Sequence, residues 1–155
     1  MPCHILRDDN DGKVLFQENR GDVVVNGGFD TADNWNCGDG WTISGGQAIW
    51  TKSNGFADIY QSISPQIDCY WHKWQLTFTI VSISGGGIAA YIKGPGTNFW
   101  TIAYWSPGVK TAWWDAAGGL GNKLGFAPSY LCTQVTIDDV SLVDMDRGKI
   151  LAFNS

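Results

Sequence analysis

Glutamate is almost missing from this chain of 155 residues: Glu18 stands alone, and the other 14 of its 15 acidic residues are aspartates. A Glu–Glu glycosidase pair is therefore excluded, and nothing in the sequence positions two aspartates as acid and base. Histidine is scarce too. His4 and His72 fit no Ser/His/Asp signature and no metal cluster. The glycine runs and Gly94-Pro95-Gly96 lack the Lys-Ser/Thr and the following helix of a phosphate loop. These absences lead to the expectation of a protein with no catalytic residues. No apolar run approaches the roughly 18 residues of a membrane helix, so no membrane partner is expected. Ten basic residues against fifteen acidic ones give a net charge of −5, with no basic stripe, which argues against nucleic acid. The four cysteines, Cys3, Cys37, Cys69 and Cys132, contain no close pair of the zinc type. Free thiols are the favoured reading, and pairing stays open because it needs an oxidising compartment. Met1 to Asp8 lacks the apolar stretch of a signal peptide, so Sec export is not expected.

What is abundant points one way. Twenty glycines punctuate the chain, and nine Trp, five Tyr and seven Phe make 21 aromatic residues. Aromatic and β-branched residues suit strands, whereas glutamate-poor segments suit helices badly. The clearest strand runs from Lys73 to Ser82, with Trp74, Leu76, Phe78 and Ile80 on one face and Gln75, Thr77 and Thr79 on the other. Gly40 to Trp50 reads as a hairpin closed by Gly45-Gly46, a pair that tolerates positive φ. Further strands are expected over 22–25, 58–63, 88–93, 99–105, 109–114, 123–127 and 133–143, each cut off by turn residues. Lys13–Gln17 and Lys149–Phe153 are candidates nearer the ends. Asp8-Asp9-Asn10-Asp11-Gly12 lacks the alternation and terminal Glu of an EF-hand and reads as a solvated turn. About ten short strands with no convincing helix mean an all-β sandwich or barrel.

One strand breaks its own pattern. Val135 and Ile137 share a face, but Val140 and Leu142 have the opposite parity, and Asp138-Asp139 lies at the switch. A bulge there would re-aim the side chains. Two adjacent carboxylates on a strand invite two readings: a calcium ligand, or one Asp capping nearby backbone while the other is solvated.

The aromatic stretch from Trp100 to Trp114 is the candidate binding surface. In a regular strand Trp113 and Trp114 point to opposite faces, and Trp105 opposes Trp100 and Tyr104. Some of these rings must face outward. Exposed aromatic clusters mark ligand sites or subunit contacts. The expected platform comprises Trp100, Tyr104, Trp105, Trp113 and Trp114.

Three segments in order carry a family resemblance. They are Asn26-Gly27-Gly28-Phe29-Asp30 followed by Trp35; Gly40-Trp41-Thr42-Ile43-Ser44-Gly45-Gly46-Gln47-Ala48; and Thr136-Ile137-Asp138-Asp139-Val140-Ser141-Leu142. Gln61, Tyr70 and Leu76-Thr77-Phe78 between them fit as well. Over residues 22–143 the chain resembles carbohydrate-binding modules of families 4, 9 and 22, of the galactose-binding-like jelly-roll group. The resemblance implies a two-sheet jelly-roll β-sandwich with its terminal strands side by side. It also implies a structural calcium, with Asp30 and Asp138 at the matching positions, although the family usually shows Glu where Asp30 stands.

The chain is also similar to small stand-alone proteins of tailed bacteriophages. That likeness implies a virion component, a capsid decoration or cement protein or a tail-associated one, assembled in the host cytoplasm. Its partners would be itself, as a homo-oligomer, and other virion proteins. The alternative is a stand-alone glycan-binding module with carbohydrate as its partner. The expected organisation is an N-terminal arm over 1–20, a sandwich over 21–145, and a C-terminal strand or tail over 146–155.

Overall fold

The structure is a computed structural model. It describes residues 22–55, 57–63, 73–94, 97–100, 103–115 and 123–145, and the backbone of three short strands near the termini. For residues 94, 97–100, 115 and 144 the backbone alone is described. Among the described residues there is no helix. The elements are β1 (His4–Arg7), β2 (Val14–Gln17), β3 (Asn36–Cys37), β4 (Trp41–Ser44), β5 (Gln47–Thr51), β6 (Ile59–Ser62), β7 (Lys73–Ser84), β8 (Ile88–Gly94), β9 (Thr97–Trp100), β10 (Gly108–Asp115), β11 (Lys123–Pro128), β12 (Gln134–Asp144) and β13 (Leu151–Phe153).

Two five-stranded antiparallel sheets make a jelly-roll β-sandwich. The first has the order β10-β7-β12-β5-β4, the second β3-β6-β11-β8-β9. A separate three-stranded sheet, β1-β2-β13, joins the two chain ends. The expected strand over 13–17 is thus β2, and the final segment pairs with it from Leu151 to Phe153.

Period-two patterning builds the core. In β7 the rings and methyls of Trp74, Leu76, Phe78 and Ile80 are all buried, and Gln75, Thr77 and Thr79 are half-buried on the outer face. Phe78 meets Phe126 of the facing sheet edge-on, with ring centroids 4.9 Å apart. Buried indoles need partners for their N–H groups. Trp35 donates to the Asn26 carbonyl at 2.9 Å, Trp41 to that of Ala57 at 2.8 Å and Trp50 to that of Asp39 at 3.2 Å. Trp74 Nε1 alone among the described buried side-chain N and O atoms has no partner. The β4–β5 hairpin turns on Gly45 (φ 62°) and Gly46 (φ 74°), the double positive φ of a type I′ turn.

The parity switch in β12 is a bulge. Between the pairs Asp138↔Thr79 and Ser141↔Thr77, β12 advances three residues while β7 advances two. The extra step includes Asp139, held at φ 52°, and Val140 and Leu142 are thereby returned to the core. A second bulge offsets it. Between Thr136↔Ser82 and Ile137↔Ile80, β7 has the extra residue, Val81. Val81 is accordingly exposed, and the register beyond both bulges is restored.

Two expected strands differ. Residues 22–25 do not form a strand; a single bridge joins Asp22 to Val143. The buried Gln61 side chain occupies the pairing groups of Val25 instead, accepting from its N–H at 2.9 Å and donating to its carbonyl at 2.6 Å. Of the expected strand 99–105, the described residues give β9 up to Trp100 and a single bridge from Tyr104 to Ile88. From Tyr91↔Trp100 to Ile88↔Tyr104, β8 takes three steps and the returning chain takes four. One extra residue on that side puts Trp100 and Tyr104 in opposite parity.

Candidate functional site

The five rings expected as one platform are distributed over the molecule. Trp114 is 7% exposed and lies in the core, because it pairs with the inward-facing Trp74. Its neighbour Trp113 points outward, 48% exposed, with the Lys73 ammonium 5.0 Å from its ring centroid. Tyr104 is half-buried, edge-on to Phe78 at 5.5 Å, and its hydroxyl donates to the Thr111 carbonyl at 3.2 Å. Trp105 is 60% exposed at one end of the sandwich, its ring lying against Gly87. Trp100 sits on β9 in the second sheet, in register with Tyr91. The structure therefore brings Tyr104 and Trp105 near one another, sends Trp113 to the outer face of the other sheet and removes Trp114 to the interior.

The second sheet carries a better-built surface. Its three middle strands meet at Gly125 of the central β11, which pairs with Tyr60 of β6 on one side and Tyr91 of β8 on the other. A side chain on Gly125 would overlap the Tyr91 ring and hydroxyl, so that ring lies directly over the glycine. Tyr91 is only 4% exposed although it is on the outer face. Its hydroxyl is hydrogen-bonded to the Asp58 carboxylate, and burial, the Asp58 charge and that hydrogen bond push its pKa up. Tyr91 is thus a neutral, fixed floor. Tyr60 stands beside it, half-buried, with the Lys123 ammonium 4.7 Å from its ring centroid. Lys93 is exposed directly across from Lys123, and Ser62 is exposed on Lys123's other side.

This face holds an aromatic surface, one fixed tyrosine hydroxyl, one carboxylate and two cations. Such a set suits an amphipathic ligand with apolar C–H faces and many hydroxyls. The sequence contained one signal for it. A glycine inside an otherwise alternating strand often marks a close approach over the backbone, and Gly125 is such a glycine.

The two aspartates expected to bind calcium lie apart in role. Asp30 is exposed, and its backbone N–H donates to Asn26 Oδ1 at 2.9 Å. Asp138 is half-buried at the bulge and accepts the N–H of Asp139 at 2.7 Å. This is the capping arrangement of the second reading. The turn before Trp35 is closed by Asn26. Its amide Nδ2 donates to the Thr31 carbonyl at 2.7 Å, the Asp33 carbonyl at 3.1 Å and the Thr31 hydroxyl at 3.3 Å. Three oxygens converge where a cation would need them, but an N–H donor meets them. Among the described residues no three His, Cys, Asp or Glu side chains gather as a metal site. Of the cysteines, Cys37 is exposed and free and Cys132 buried and free, both with pKa values raised by desolvation. Cys3 and Cys69 lie outside the described residues, as do Tyr70 and His72.

No family model and no curated protein matches the sequence. Solved structures do. A point mutant of a family 29 carbohydrate-binding module is similar over 81% of this chain and 90% of its own, with a TM-score of 0.53 and 11% identity. The fold is carbohydrate-binding-module-like. The enzymatically active domain of tailspike protein 4 of bacteriophage CBA120 is similar over 80% of this chain, again with a TM-score of 0.53, at 15% identity. This chain spans only 21% of that tailspike domain's length. A family 11 module from Clostridium thermocellum, in complex with a β-1,3-1,4-mixed-linked tetrasaccharide, is similar over 81% of this chain with a TM-score of 0.48 and 15% identity. Identities this low speak to the fold alone.

Proposed function

We propose that this protein is a non-catalytic glycan-binding module whose ligand lies on the outer face of β6, β11 and β8. The observation that carries this reading is the half-buried Tyr60 ring held beside the buried Tyr91 ring, which is seated over Gly125. With Tyr91 fixed as its support, the Tyr60 ring can stack on a sugar without first having to order itself. No catalytic step is part of the reading. The one carboxylate on the described part of the face, Asp58, is engaged by the Tyr91 hydroxyl and has no second carboxylate opposite it.

A glycan array or affinity gel tests this directly. Binding is expected for the parent protein and a loss of at least about tenfold, roughly 1.4 kcal/mol, in Tyr60→Ala. Trp105→Ala and Trp113→Ala are expected to bind as the parent does. Retained binding in Tyr60→Ala, or a dependence on Trp105 or Trp113, would move the site elsewhere.

A second reading, a virion component held by protein contacts, draws on the other end of the molecule. Trp105, Tyr130 and Leu131 are all exposed there, on turns that touch through Gly86 and Gly87. Rings of this type are enriched in subunit interfaces, and one protein sharing the fold belongs to a phage tailspike. Light scattering distinguishes the two. A defined oligomer that dissociates in Trp105→Ala, with a silent glycan array, would favour assembly.

A further inference from the structure

We infer that the ligand of this face is an acidic glycan, one whose sugar rings carry carboxylate groups. This rests on the glycan-binding reading and adds its charge class. Lys93 of β8 and Lys123 of β11 are direct register partners in an antiparallel pair, and both point to the outer face. Opposed residues of this kind have their Cβ atoms about 5 Å apart, and like charges so placed destabilise a sheet. The row across the strands offers no relief. Ser62 stands opposite Lys123 and Asn98 opposite Lys93, so no carboxylate is in line with either. Elsewhere the molecule consumes its described lysines internally. Lys52 donates to the Tyr130 carbonyl at 3.2 Å, and Lys110 to the Ser106 hydroxyl at 3.1 Å and the Pro107 carbonyl at 3.2 Å. A chain of net charge −5 has nevertheless put two cations side by side on its best binding face.

The spacing suits the chemistry. The row Tyr60–Gly125–Tyr91 lies two residues along the strands from the lysine row, about 7 Å away. A pyranose stacked on the Tyr60 ring would carry a ring substituent toward the ammonium groups. The aromatic row separates the lysines from the carboxylate on the same face. Asp58 is four residues before Ser62, roughly 13 Å along β6. The face is thus graded, accepting an anion at the lysine end and sugar hydroxyls at the Asp58 end. Lys123 also touches the Tyr60 ring, so one side chain links the two rows.

The test is a binding comparison among polygalacturonate, its carboxyl-reduced form and the neutral polymers cellohexaose and mannan, with poly-glutamate as a sugar-free polyanion. Polygalacturonate is expected to bind at least tenfold more tightly than its carboxyl-reduced form, and Lys93→Gln/Lys123→Gln is expected to abolish that preference. Poly-glutamate is expected not to bind. Preference for a neutral polymer would overturn the acidic assignment while leaving the glycan reading standing. Silence on every polymer would overturn both. Equal binding of poly-glutamate, or acidic binding untouched by the double variant, would overturn the assignment to this lysine pair. The ligand-free protein gives a separate readout. Lys93→Gln is expected to melt no lower than the parent because it removes a repulsion, and a clear drop in Tm would show that Lys93 serves the fold.

Discussion

Asn26 shows how much one side chain can organise. At φ 56° it occupies a backbone region that asparagine tolerates better than most residues. Its carboxamide donates to three oxygens and accepts from the backbone of Asp30 and, at 3.5 Å, of Thr31. Asn26→Gly keeps the backbone conformation and deletes only those bonds. It is expected to lower stability by about 0.5–1.5 kcal/mol in urea denaturation, the net worth of hydrogen bonds whose partners are exposed and can turn to water. Because an amide already satisfies the oxygens, the parent's melting temperature is expected to be the same in EDTA and in millimolar calcium. A calcium-dependent rise of several degrees would show that the turn takes a cation after all. The residue types of this turn were plain in the sequence. Which of Asn26, Asp30 and Asp138 does the work was not, because that depends on which oxygen faces which nitrogen.

At the scale of the element, β12 carries the most information. Its parity switch announced a bulge, and the register shows it, with Asp139 in the left-handed region. Asp139→Gly is expected to be neutral or to stabilise by up to about 1 kcal/mol, since glycine adopts that φ without a Cβ penalty. Deleting Asp139 is expected to abolish cooperative unfolding, because Val140 and Leu142 would turn outward. Urea titration followed by intrinsic fluorescence checks both. The compensating bulge at Val81 was hidden. Alternation from Trp74 to Ile80 is regular, and only the pairing with β12 shows that Val81 is the surplus residue. The same limit governs the expected strand 99–105. Its composition reads as one strand, but its partner β8 is one residue short between Ile88 and Tyr91. That surplus invalidates the parity argument linking Trp105 to Trp100, whereas Trp113 and Trp114, on the unbroken β10, do face opposite ways.

At the scale of the whole molecule, the sandwich is closed where the chain enters and leaves it. Val23 N–H donates to the Leu142 carbonyl at 3.0 Å, and Asp22 Oδ1 accepts from Val24 at 3.0 Å and from Leu142 at 3.1 Å. This clip joins residues 120 apart in sequence. Asp22→Ala is expected to cost about 1–2 kcal/mol in urea denaturation, in the range for a charge-assisted bond with one partner removed. Asp22→Asn, which keeps an acceptor oxygen, is expected to recover most of that loss. Equal destabilisation by both would show that charge, not the clip, matters at this position.

The sequence by itself determined that the chain is all-β, where its main turns fall and which face of β7 is buried, because period-two burial and glycine turns are local and need no partner to be read. It also determined that surplus aromatic rings face out. Only the tertiary structure decided which rings those are and where the proposed binding face lies. Tyr60, Tyr91, Lys93 and Lys123 lie on three strands separated by long stretches of chain. They become one surface through register, a relation between strands that no single segment contains.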